Sequence, residues 1–590
     1  AFQTRRGYGL LPYLPLYAGV PMVSAERSEK VLRDIRLTVN DLVNEVFFHR
    51  VKYWGMQYGK KVSHESIAPT FVADGLEHYR YADLPMGEFW LNSPTHDKPN
   101  DMLDAVSGAH IYGKNIVQAE GFTEVRGVWN ETPAMLKPLL DREFSLGMNR
   151  LFFHVDAHNP WLDRKPGMTL DGIGLFFQRD NTWYKESKGF VDYVTTCQHY
   201  LQQGHPVVDI AVFTGEEMPS RSLTPDRLVS ILPGIFGKER VLSEQKRLEN
   251  VGLPMEESPV GVSHSAGILD MKNWVNALHG YKYDSINKDA LLHQATIADG
   301  RIIMPGGVSY RILVLPGKTK MDPDFQGYSS EVQAKIDECR KAGVLVIDHP
   351  YPYPDFSKYG LNPDVILPPD IAWAHRSTDN KEIYFIANQK DSARYITAQF
   401  RDNNRINLYL EPYESKFIII PKKSQLRVVN LQEEVLGKSV KCDFHSWKMN
   451  FYNLSKVLKS DTLFDWTTSL NSKICYYSGS VCYSTVFKYE KKATRIHLNL
   501  GQVHDIAHVY LNGVDCGIAW MAPYEVDITK AIHRGENILD IVVTNTWRNA
   551  LLGAEQGKAP FEGIWTNSEY RMKGNKLLPA GLLGPVSLKE

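Results

Sequence analysis

Two glutamates stand where predicted strands give way to loops, and their spacing is the feature of this sequence that most directly indicates chemistry. Glu88 occurs in "DLPMGEFW", and Glu120 follows the mostly apolar run "IVQA", which predicts a buried strand. The two positions are 32 residues apart, a spacing that suits one strand–helix repeat. Neighbouring strands of a barrel lie about 5 Å apart, so both side chains are expected to project into one cleft.

Two carboxyl groups that face a common gap are what cleavage of a glycosidic bond requires. The protonated group gives its proton to the leaving oxygen, and the ionised group activates water or attacks the anomeric carbon. Apolar residues flank both glutamates in sequence, and such surroundings raise the pKa of a carboxyl group. In the competing interpretation, each glutamate satisfies a helix N-terminus or an arginine in the wall of the barrel.

A third polar segment follows another predicted strand. The stretch "FFHVDAHNPW" supplies His154, Asp156, His158 and Trp161. The H-x-x-x-H spacing suits zinc when both histidines lie on one helix face, and these lie at a strand end. We therefore expect His154 and His158 to hydrogen-bond sugar hydroxyls, while Trp161 or Trp90 offers an apolar platform. The alternative is that they are capped loop histidines.

Other candidates are assigned structural roles. His110, in "SGAHIYGK", lies within a predicted helix and is expected to be a packing residue. Glu216 and Glu217 follow a strand of a second layer and are interpreted as loop charges. The sequence contains no G-x-S-x-G elbow, so serine-based hydrolysis finds no support.

The elements that must position these residues predict an incomplete barrel over residues 1–205. Strand-like runs alternate with helical stretches, and a long helix is predicted to start at Ser28. This order indicates a parallel sheet, as a barrel or as an open doubly wound sheet. Chemistry-capable residues at successive strand ends favour a (β/α)₈ TIM-type barrel; they are Glu65, Glu88, Glu120, His154 and His158. Fewer than eight strands are found before residue 205.

The rest of the chain predicts three further parts, which make this a multidomain α/β plus all-β protein. Residues 206–365 read as an α/β doubly wound layer without a glycine-rich phosphate fingerprint. Residues 366–428 read as a β-rich connecting region. Residues 429–590 hold short strands separated by turn residues and predict a β-sandwich.

Composition excludes several classes of function. The chain has 590 residues and a formal net charge of −1, so no overall field would steer it to nucleic acid or to anionic lipid. No apolar run is long enough to span a membrane. The six cysteines include no C-x-x-C pair and are expected to be free thiols, with a disulfide among the last four as the alternative. The chain opens at Ala1 in what looks like the middle of a domain, which predicts that upstream barrel strands are missing.

With these residues placed, the chain resembles a bacterial α-L-rhamnosidase of glycoside hydrolase family 106. The resemblance is carried by "RRGYGLLPYLP", "DLPMGEFW", "AHIYGKNIVQAEGFTE", "LGMNRLFFHVDAHNPW" and "YLQQGHPVVDIAVFTGEEMP". Farther along, "HVYLNGVDCGIAW" and "GLLGPVSL" resemble the galactose-binding-like β-sandwich of multidomain glycosidases.

The resemblance implies a periplasmic or extracellular enzyme that releases α-linked L-rhamnose from plant pectic or related glycans. It implies inversion assisted by calcium, with no organic cofactor. Glu120 matches the position of the general base, and Glu88 is either the second carboxylate of the reaction or an oxygen ligand of the calcium. Family members carry the proposed general acid upstream of the segment that matches "RRGY", a position this sequence does not include.

Two other readings of the sequence remain open. One is a non-catalytic glycan-binding protein or an inactive fragment, in which barrel and sandwich hold a sugar without cleaving it. The other is a β-galactosidase-like retaining glycosidase of the same domain order, which predicts catalytic carboxyl groups only about 5 Å apart.

Overall fold

The computed structural model describes most of the chain. The described residues are 1–65, 72–91, 99–124, 129–170, 173–222, 276, 278–318, 325–348, 355–423, 428–431, 439–440, 442–491, 495–568 and 576–590. The longest stretch outside these ranges, residues 223–275, belongs to the segment predicted to form the α/β layer.

A four-stranded parallel sheet forms the centre of the N-terminal part. Its strands lie side by side in chain order: β1 (Ser63–Glu65), β2 (Leu84–Trp90), β3 (Gln118–Thr123) and β4 (Arg150–Phe153). The expectation that Glu88 and Glu120 end their strands is wrong. β2 continues to Trp90 and β3 to Thr123, because Phe89 and Phe122 are buried and extend the pairing past the carboxylates.

Helices cover one side of this sheet, and others precede its first strand in the chain. They are α1 (Phe2–Arg6), α2 (Ala25–Leu42), α3 (His49–Gln57), α4 (Pro99–Ile111), α5 (Pro133–Leu146) and α6 (Lys188–Leu201). The predicted start at Ser28 is wrong. Ser24 is the N-cap, and its hydroxyl accepts a hydrogen bond from the Arg27 amide at 3.0 Å. Ser28 lies inside the helix, where its hydroxyl donates to the Ser24 carbonyl at 2.7 Å.

The two faces of the sheet differ because successive side chains of a strand point to opposite sides. Phe89 and Ala119 lie on the buried face, against the helices. At Gly87 the sheet and α4 approach closely, and a Cβ there would lie 2.7 Å from the Asp101 carbonyl oxygen. Glycine at this position therefore lets the helix seat against the strand. The opposite face carries Glu88 and Glu120.

The next part is a second α/β layer that shares a hydrophobic core with the first. Its parallel sheet has the order β13–β12–β7–β8, and an antiparallel three-stranded sheet, β11–β10–β9, lies beside it. The same cluster of buried side chains includes Phe144 of α5 and Phe213 of β7. The elements are β6 (His205–Pro206), β7 (Ile210–Phe213), β8 (Tyr283–Ile286), α7 (Lys288–His293), β9 (Thr296–Ala298), β10 (Arg301–Ile303), β11 (Ser309–Tyr310), β12 (Ile312–Val314), α8 (Ser330–Lys341) and β13 (Leu345–Ile347).

The region between this layer and the C-terminal part forms two four-stranded sheets with a core of their own. One has the order β14–β17–β18–β20, and the other, β19–β16–β15–β6, recruits the short strand β6 from the preceding segment. Ile386 and Ile396 are among the buried side chains between them. The strands are β14 (Val365–Ile366), β15 (Ile371–Ser377), β16 (Lys381–Asn388), β17 (Arg394–Phe400), β18 (Arg405–Leu410), β19 (Ser415–Pro421) and β20 (Val428–Leu431).

The C-terminal part packs a six-stranded sheet, β23–β22–β24–β30–β27–β28, on a four-stranded sheet, β21–β33–β25–β29. Two small pairs, β26–β32 and β31 with β5 (Lys165–Gly167), complete it, and the second joins this part to the N-terminal part. The remaining elements are β21 (Ser439–Val440), β22 (Trp447–Phe451), β23 (Lys456–Ser460), α9 (Ser472–Cys475), β24 (Ser480–Tyr489), β25 (His497–Asn499), β26 (Gln502–His504), β27 (Ile506–Leu511), β28 (Val514–Ala519), β29 (Glu525–Asp527), β30 (Gly535–Thr544), α10 (Arg548–Glu555), β31 (Ile564–Thr566), β32 (Gly581–Gly584) and β33 (Ser587–Lys589).

The coarse prediction, a multidomain chain with α/β parts followed by β-sheet parts, is confirmed. All six cysteines are free thiols, as the first interpretation predicted, but only Cys197 and Cys339 of the six are buried. Within the described ranges, no helix combines the length and the apolar character needed to cross a membrane. Short 3₁₀ helices occupy Leu11–Ala18, Glu77–Arg80, Pro305–Gly307, Ser357–Tyr359, Tyr452–Leu454 and Trp466–Thr468, and a π-helical turn, Val43–Phe48, joins α2 to α3.

Candidate active site

Three glutamates form a row across the open face of the N-terminal sheet. Glu88 and Glu120 pair directly in the register of β2 and β3. Glu65 of β1 pairs with Met86, which is two residues before Glu88 and so points to the same side. This register places Glu88 and Glu120 on one face of the sheet, and the cleft that they are expected to share stays a prediction. We call Glu65, Glu88 and Glu120 the carboxylate row.

The members of the row differ in their contact with solvent. Glu88 is 6% exposed to solvent, whereas the side chain of Glu120 is 30% exposed. Burial, followed by the negative charges of Glu120 and Glu88, raises the pKa of Glu65 to about 8. One carboxyl oxygen of Glu65, Oε1, is buried without a hydrogen-bond partner. At neutral pH the Glu65 carboxyl group therefore carries a proton.

His154 is the fourth member of the cluster. It follows β4 directly, and its backbone amide donates to the Gly121 carbonyl at 3.0 Å, which places it beside the end of β3. Its Nε2 lies 3.7 Å from Glu120 Oε1, and its Nδ1 is buried without a hydrogen-bond partner. The structure thus brings together three of the residues singled out from the sequence, Glu88, Glu120 and His154.

The backbone beside Glu120 adopts an unusual conformation. Phe122 has a φ of 69°, a left-handed value that is uncommon for a bulky residue. Its ring packs edge-to-face on Phe89, with centroids 5.0 Å apart, and lies 6.0 Å from the Phe153 ring. This aromatic packing holds the strained backbone in place and fixes the strand that carries Glu120.

The other residues expected to bind substrate lie at varying positions around the row. Trp90 is the last residue of β2, two positions beyond Glu88. His158 is exposed to solvent. Trp161 packs edge-to-face against Trp565 of β31, with ring centroids 5.3 Å apart, so it stands at the contact with the C-terminal part.

His110, Glu216 and Glu217, which the sequence assigns to structural roles, have such roles in the structure. His110 is 4% exposed, and its Nδ1 lies 2.8 Å from Asp284 Oδ2 of β8, so it joins α4 to the second α/β layer. Glu216 accepts a hydrogen bond from Lys288 at 2.7 Å, and Glu217 accepts one from Arg33 at 2.5 Å. Neither glutamate belongs to the carboxylate row.

Glu65 is the residue that sequence reasoning underrated. The sequence predicts Glu65 at a strand end but does not place it in the site, because its distance in sequence from Glu88 does not fix how β1 pairs with β2. The signal available was the pattern of "VSHE", in which Ser63 and Glu65 share one face of a strand. The Ser63 hydroxyl donates to Gln118 Oε1 at 2.6 Å, which shows that this face of β1 reaches across to β3.

The donor set fits a calcium ion only in part. Calcium takes six to eight oxygen ligands, and carboxylates are among those it prefers. Glu88 and Glu120 stand in register and could supply two such groups. No complete cluster of three or more metal-binding side chains is found among the residues that the structure describes. The other oxygens of a calcium shell would have to come from water or from the hydroxyls of a bound sugar.

Comparison with known proteins finds family models that match two parts of the chain. Residues 1–237 match the model of glycoside hydrolase family 106, described as alpha-L-rhamnosidase. Residues 454–575 match a model described as the galactose-binding domain-like part of family 2 glycosyl hydrolases. The carboxylate row and His154 all lie inside the first match. The resemblance to α-L-rhamnosidases with a galactose-binding-like domain is thereby confirmed.

Two known proteins share much of the chain. The solved structure of a rhamnosidase from Novosphingobium sp. PP1Y is 26% identical and superposes with a TM-score of 0.81 over all of this chain and 59% of its own. A curated protein of Formosa agariphila, named "Putative beta-glucuronidase", is 31% identical over 416 residues, which are 68% of this chain and 33% of that protein. The chain therefore spans about a third of the curated relative it matches.

Proposed function

We propose that this chain contributes the catalytic face of a glycoside hydrolase that releases α-linked L-rhamnose. The observation that carries the proposal is the in-register pair Glu88 and Glu120 on adjacent parallel strands, inside the part that matches the α-L-rhamnosidase family. In this pair, Glu120 is suited to act as a general base, and Glu88 is suited to hold a cation or the substrate beside it.

We assign Glu120 as the general base. Its side chain is more exposed than that of Glu88, so water reaches it, and the imidazole of His154 stands 3.7 Å away. A carboxylate that accepts a proton from water gives that water the nucleophilic character needed to attack the anomeric carbon. His154 then orients either the carboxylate or a sugar hydroxyl beside it.

Glu88 is better suited to positioning than to being the second carboxylate of an inverting reaction. Adjacent strands are about 4.8 Å apart, whereas the two carboxyl groups of an inverting glycosidase are about 6.5–9.5 Å apart to leave room for water. A buried carboxylate at this distance from the base suits an oxygen ligand of calcium. Calcium, when bound, would offset the negative charge of the row and hold sugar hydroxyls in place.

Glu65 has a separate function in this proposal. Because its pKa is raised to about 8, its carboxyl group carries a proton at neutral pH and can donate a hydrogen bond. We assign it the binding of a sugar hydroxyl at the edge of the row. Glu65→Gln keeps a donor and should retain most activity, whereas Glu65→Ala removes it and should raise KM.

The finer features of the fold belong to the same proposal. Four parallel strands with polar residues on one face and helices on the other are what a segment of a (β/α)₈ barrel would present. On this view, Trp90, His158 and Trp161 surround the mouth of the barrel and contact the sugar or its leaving group. Action on plant pectic glycans and a periplasmic or extracellular location also stay proposals.

The test is hydrolysis of an aryl α-L-rhamnoside by the complete gene product. Glu120→Gln should lower kcat by about 10²–10⁴-fold with an unchanged melting temperature. Glu29→Gln, at an exposed helix position, is the matched control and should behave as wild type. Activity of Glu120→Gln close to wild type would remove Glu120 from the mechanism.

Further arms of the assay separate the alternatives. Binding of L-rhamnose without turnover would favour the non-catalytic glycan-binding protein. Turnover of an aryl β-glucuronide or β-galactoside in place of the rhamnoside would point to a retaining glycosidase. Proton NMR of the fresh product reports inversion or retention. Loss of activity in a chelator, restored by calcium, would support the ligand role of Glu88, and indifference to the chelator would contradict it.

A further inference from the structure

A polar cavity that includes no residue of the carboxylate row lies where the second α/β layer meets the two-sheet unit that follows it. Its volume is ≈ 450 Å³, within the range of pockets that hold small organic ligands. Its wall is built from the segment around β6, from the β10–β11 hairpin and from the two-sheet unit that follows. No residue of β1 to β4 contributes to it. We call it the junction cavity.

One wall of the junction cavity is a rigid ionic network centred on His375. Its Nδ1 lies 2.7 Å from Asp364 Oδ2, and its Nε2 lies 3.0 Å from Glu382 Oε2. Tyr384 donates to the other oxygen of Asp364 at 3.0 Å and stacks on the imidazole ring, with centroids 3.9 Å apart. Burial opposes a charge on His375, but Asp364 and Glu382 outweigh burial and raise its pKa to about 9. The network is therefore charged and held in one geometry at neutral pH.

The rest of the lining offers further hydrogen-bond donors and acceptors. Arg401 donates to Asp209, which fixes both groups at the edge of the cavity. Arg301 donates to the Ser309 hydroxyl at 3.1 Å, which accounts for one of the five N–H donors of its guanidinium group. Asp402 is held by the Asn404 amide at 3.0 Å. Carboxylates and guanidinium groups that are held by hydrogen bonds thus both line the cavity.

The charges of the wall nearly balance. Four carboxylates line the cavity, together with two guanidinium groups and the imidazolium of His375. A site for a strongly charged ligand would present one sign in excess. A balanced wall with many fixed donors and acceptors instead matches a neutral ligand rich in hydroxyl groups, since each hydroxyl both donates and accepts. The Tyr384 side chain and the adjacent Val207 add apolar surface for the carbon face of such a ligand.

From this wall we infer that the junction cavity binds a carbohydrate unit of mono- or disaccharide size. The inference goes beyond the proposed function, because the cavity shares no residue with the carboxylate row and needs no catalysis. A sugar held there would tether the protein to a glycan while the row acts on another part of it.

The experiment is saturation-transfer NMR on the full chain with four free sugars: L-rhamnose, D-galactose, D-glucose and D-galacturonate. Glu120→Gln serves as the background because it removes the proposed general base, and the cavity variants distinguish binding at the cavity from binding at the row. Arg301→Met removes the guanidinium group and keeps the aliphatic stem. It should weaken the binding of at least one sugar by about tenfold, the loss expected for one charge-assisted hydrogen bond.

Two further variants show whether a loss of binding comes from the junction cavity. Arg405→Met, at an exposed position of β18, should leave binding unchanged. Asp402→Asn gives an independent test if Arg301→Met lowers the melting temperature. The inference is overturned if no sugar of the panel binds the Glu120→Gln protein, or if both cavity variants bind as tightly as Arg405→Met. Neither outcome bears on rhamnoside hydrolysis, which is measured separately.

Discussion

At the scale of single residues, the proton on Glu65 links the candidate site to stability. Its folded-state pKa is about 8, and an unfolded glutamate titrates near 4.3. A raised pKa means that the folded state holds the proton more tightly than the unfolded state does. The contribution to stability is therefore fully present below about pH 4 and is lost as the pH rises through about 8.

Glu65→Gln should remove this dependence. In urea titrations at pH 5, 7 and 9 with a chelator present, wild type should lose unfolding free energy on the order of a few kcal/mol relative to the variant. Glu29→Gln, fully solvated on α2, should follow wild type. Parallel loss of stability in wild type and Glu65→Gln would contradict the buried, crowded environment of the carboxyl group.

The residues of the site show how far sequence reasoning reaches. Glu88 and Glu120 could be predicted to share a cleft because one strand–helix repeat separates them, and adjacent repeats pair. Glu65 could not be assigned, because its membership depends on the register between β1 and β2, which leaves no trace in composition or period. The junction cavity also escaped, since its walls come from segments far apart in the chain.

At the scale of elements, Arg221 fastens α4 in place. Its guanidinium group donates to Asp101 and to Asp104, both of which are fully buried on α4. The Ser222 amide adds a hydrogen bond of 2.6 Å to Asp104. Because α4 packs against Gly87 in the strand that carries Glu88, the ion pairs of Arg221 with α4 help to position the carboxylate row.

Removing the Arg221 guanidinium group should lower the stability of the fold. Arg221→Met leaves two buried carboxylates without their cation, and the free energy of unfolding should fall by about 3–5 kcal/mol. Arg340→Met is the matched control, because Arg340 makes solvent-exposed ion pairs with Asp337 and Asp348, worth about 0–1 kcal/mol. Equal midpoints for the two variants in urea would show that the buried contacts do not carry the helix.

The prediction of elements succeeded where the signal is local. Helix α5 ends directly before Gly147, whose φ of 127° suits glycine, and a final glycine is a local signal that a sequence shows. The start of α2 was placed four residues late because Ser24 and Ser28 both offer capping hydroxyls, and tertiary packing selects the first. The predicted strand ends at Glu88 and Glu120 are wrong, since a carboxylate inside a strand has the same local appearance in sequence as the start of a loop. The partners of Arg221 lie about 120 residues away and have no local signal.

At the scale of the whole molecule, the C-terminal part is built into the N-terminal part. Trp547 packs with Trp129 and Phe176 in one buried cluster, and its indole N–H donates to the Asp180 carbonyl at 2.7 Å. The pairing of β5 with β31 and the hydrogen bond of 2.8 Å from Thr169 Oγ1 to Asn567 Oδ1 reinforce the joint. A joint with a buried aromatic core predicts that the two parts unfold together.

Trp547→Ala should uncouple them. Truncating a buried tryptophan costs about 3–5 kcal/mol, and here the cost falls on the contact between parts that each keep their own core. Calorimetry should therefore show one transition for wild type and two for the variant, with the lower one assigned by limited proteolysis. Trp54→Ala, at a 50% exposed position of α3, should keep a single transition, and its free energy of unfolding should stay within about 1 kcal/mol of wild type. A single, lowered transition for Trp547→Ala would mean that the shared surface extends well beyond this cluster, and that the sandwich is part of the catalytic fold rather than a unit attached to it.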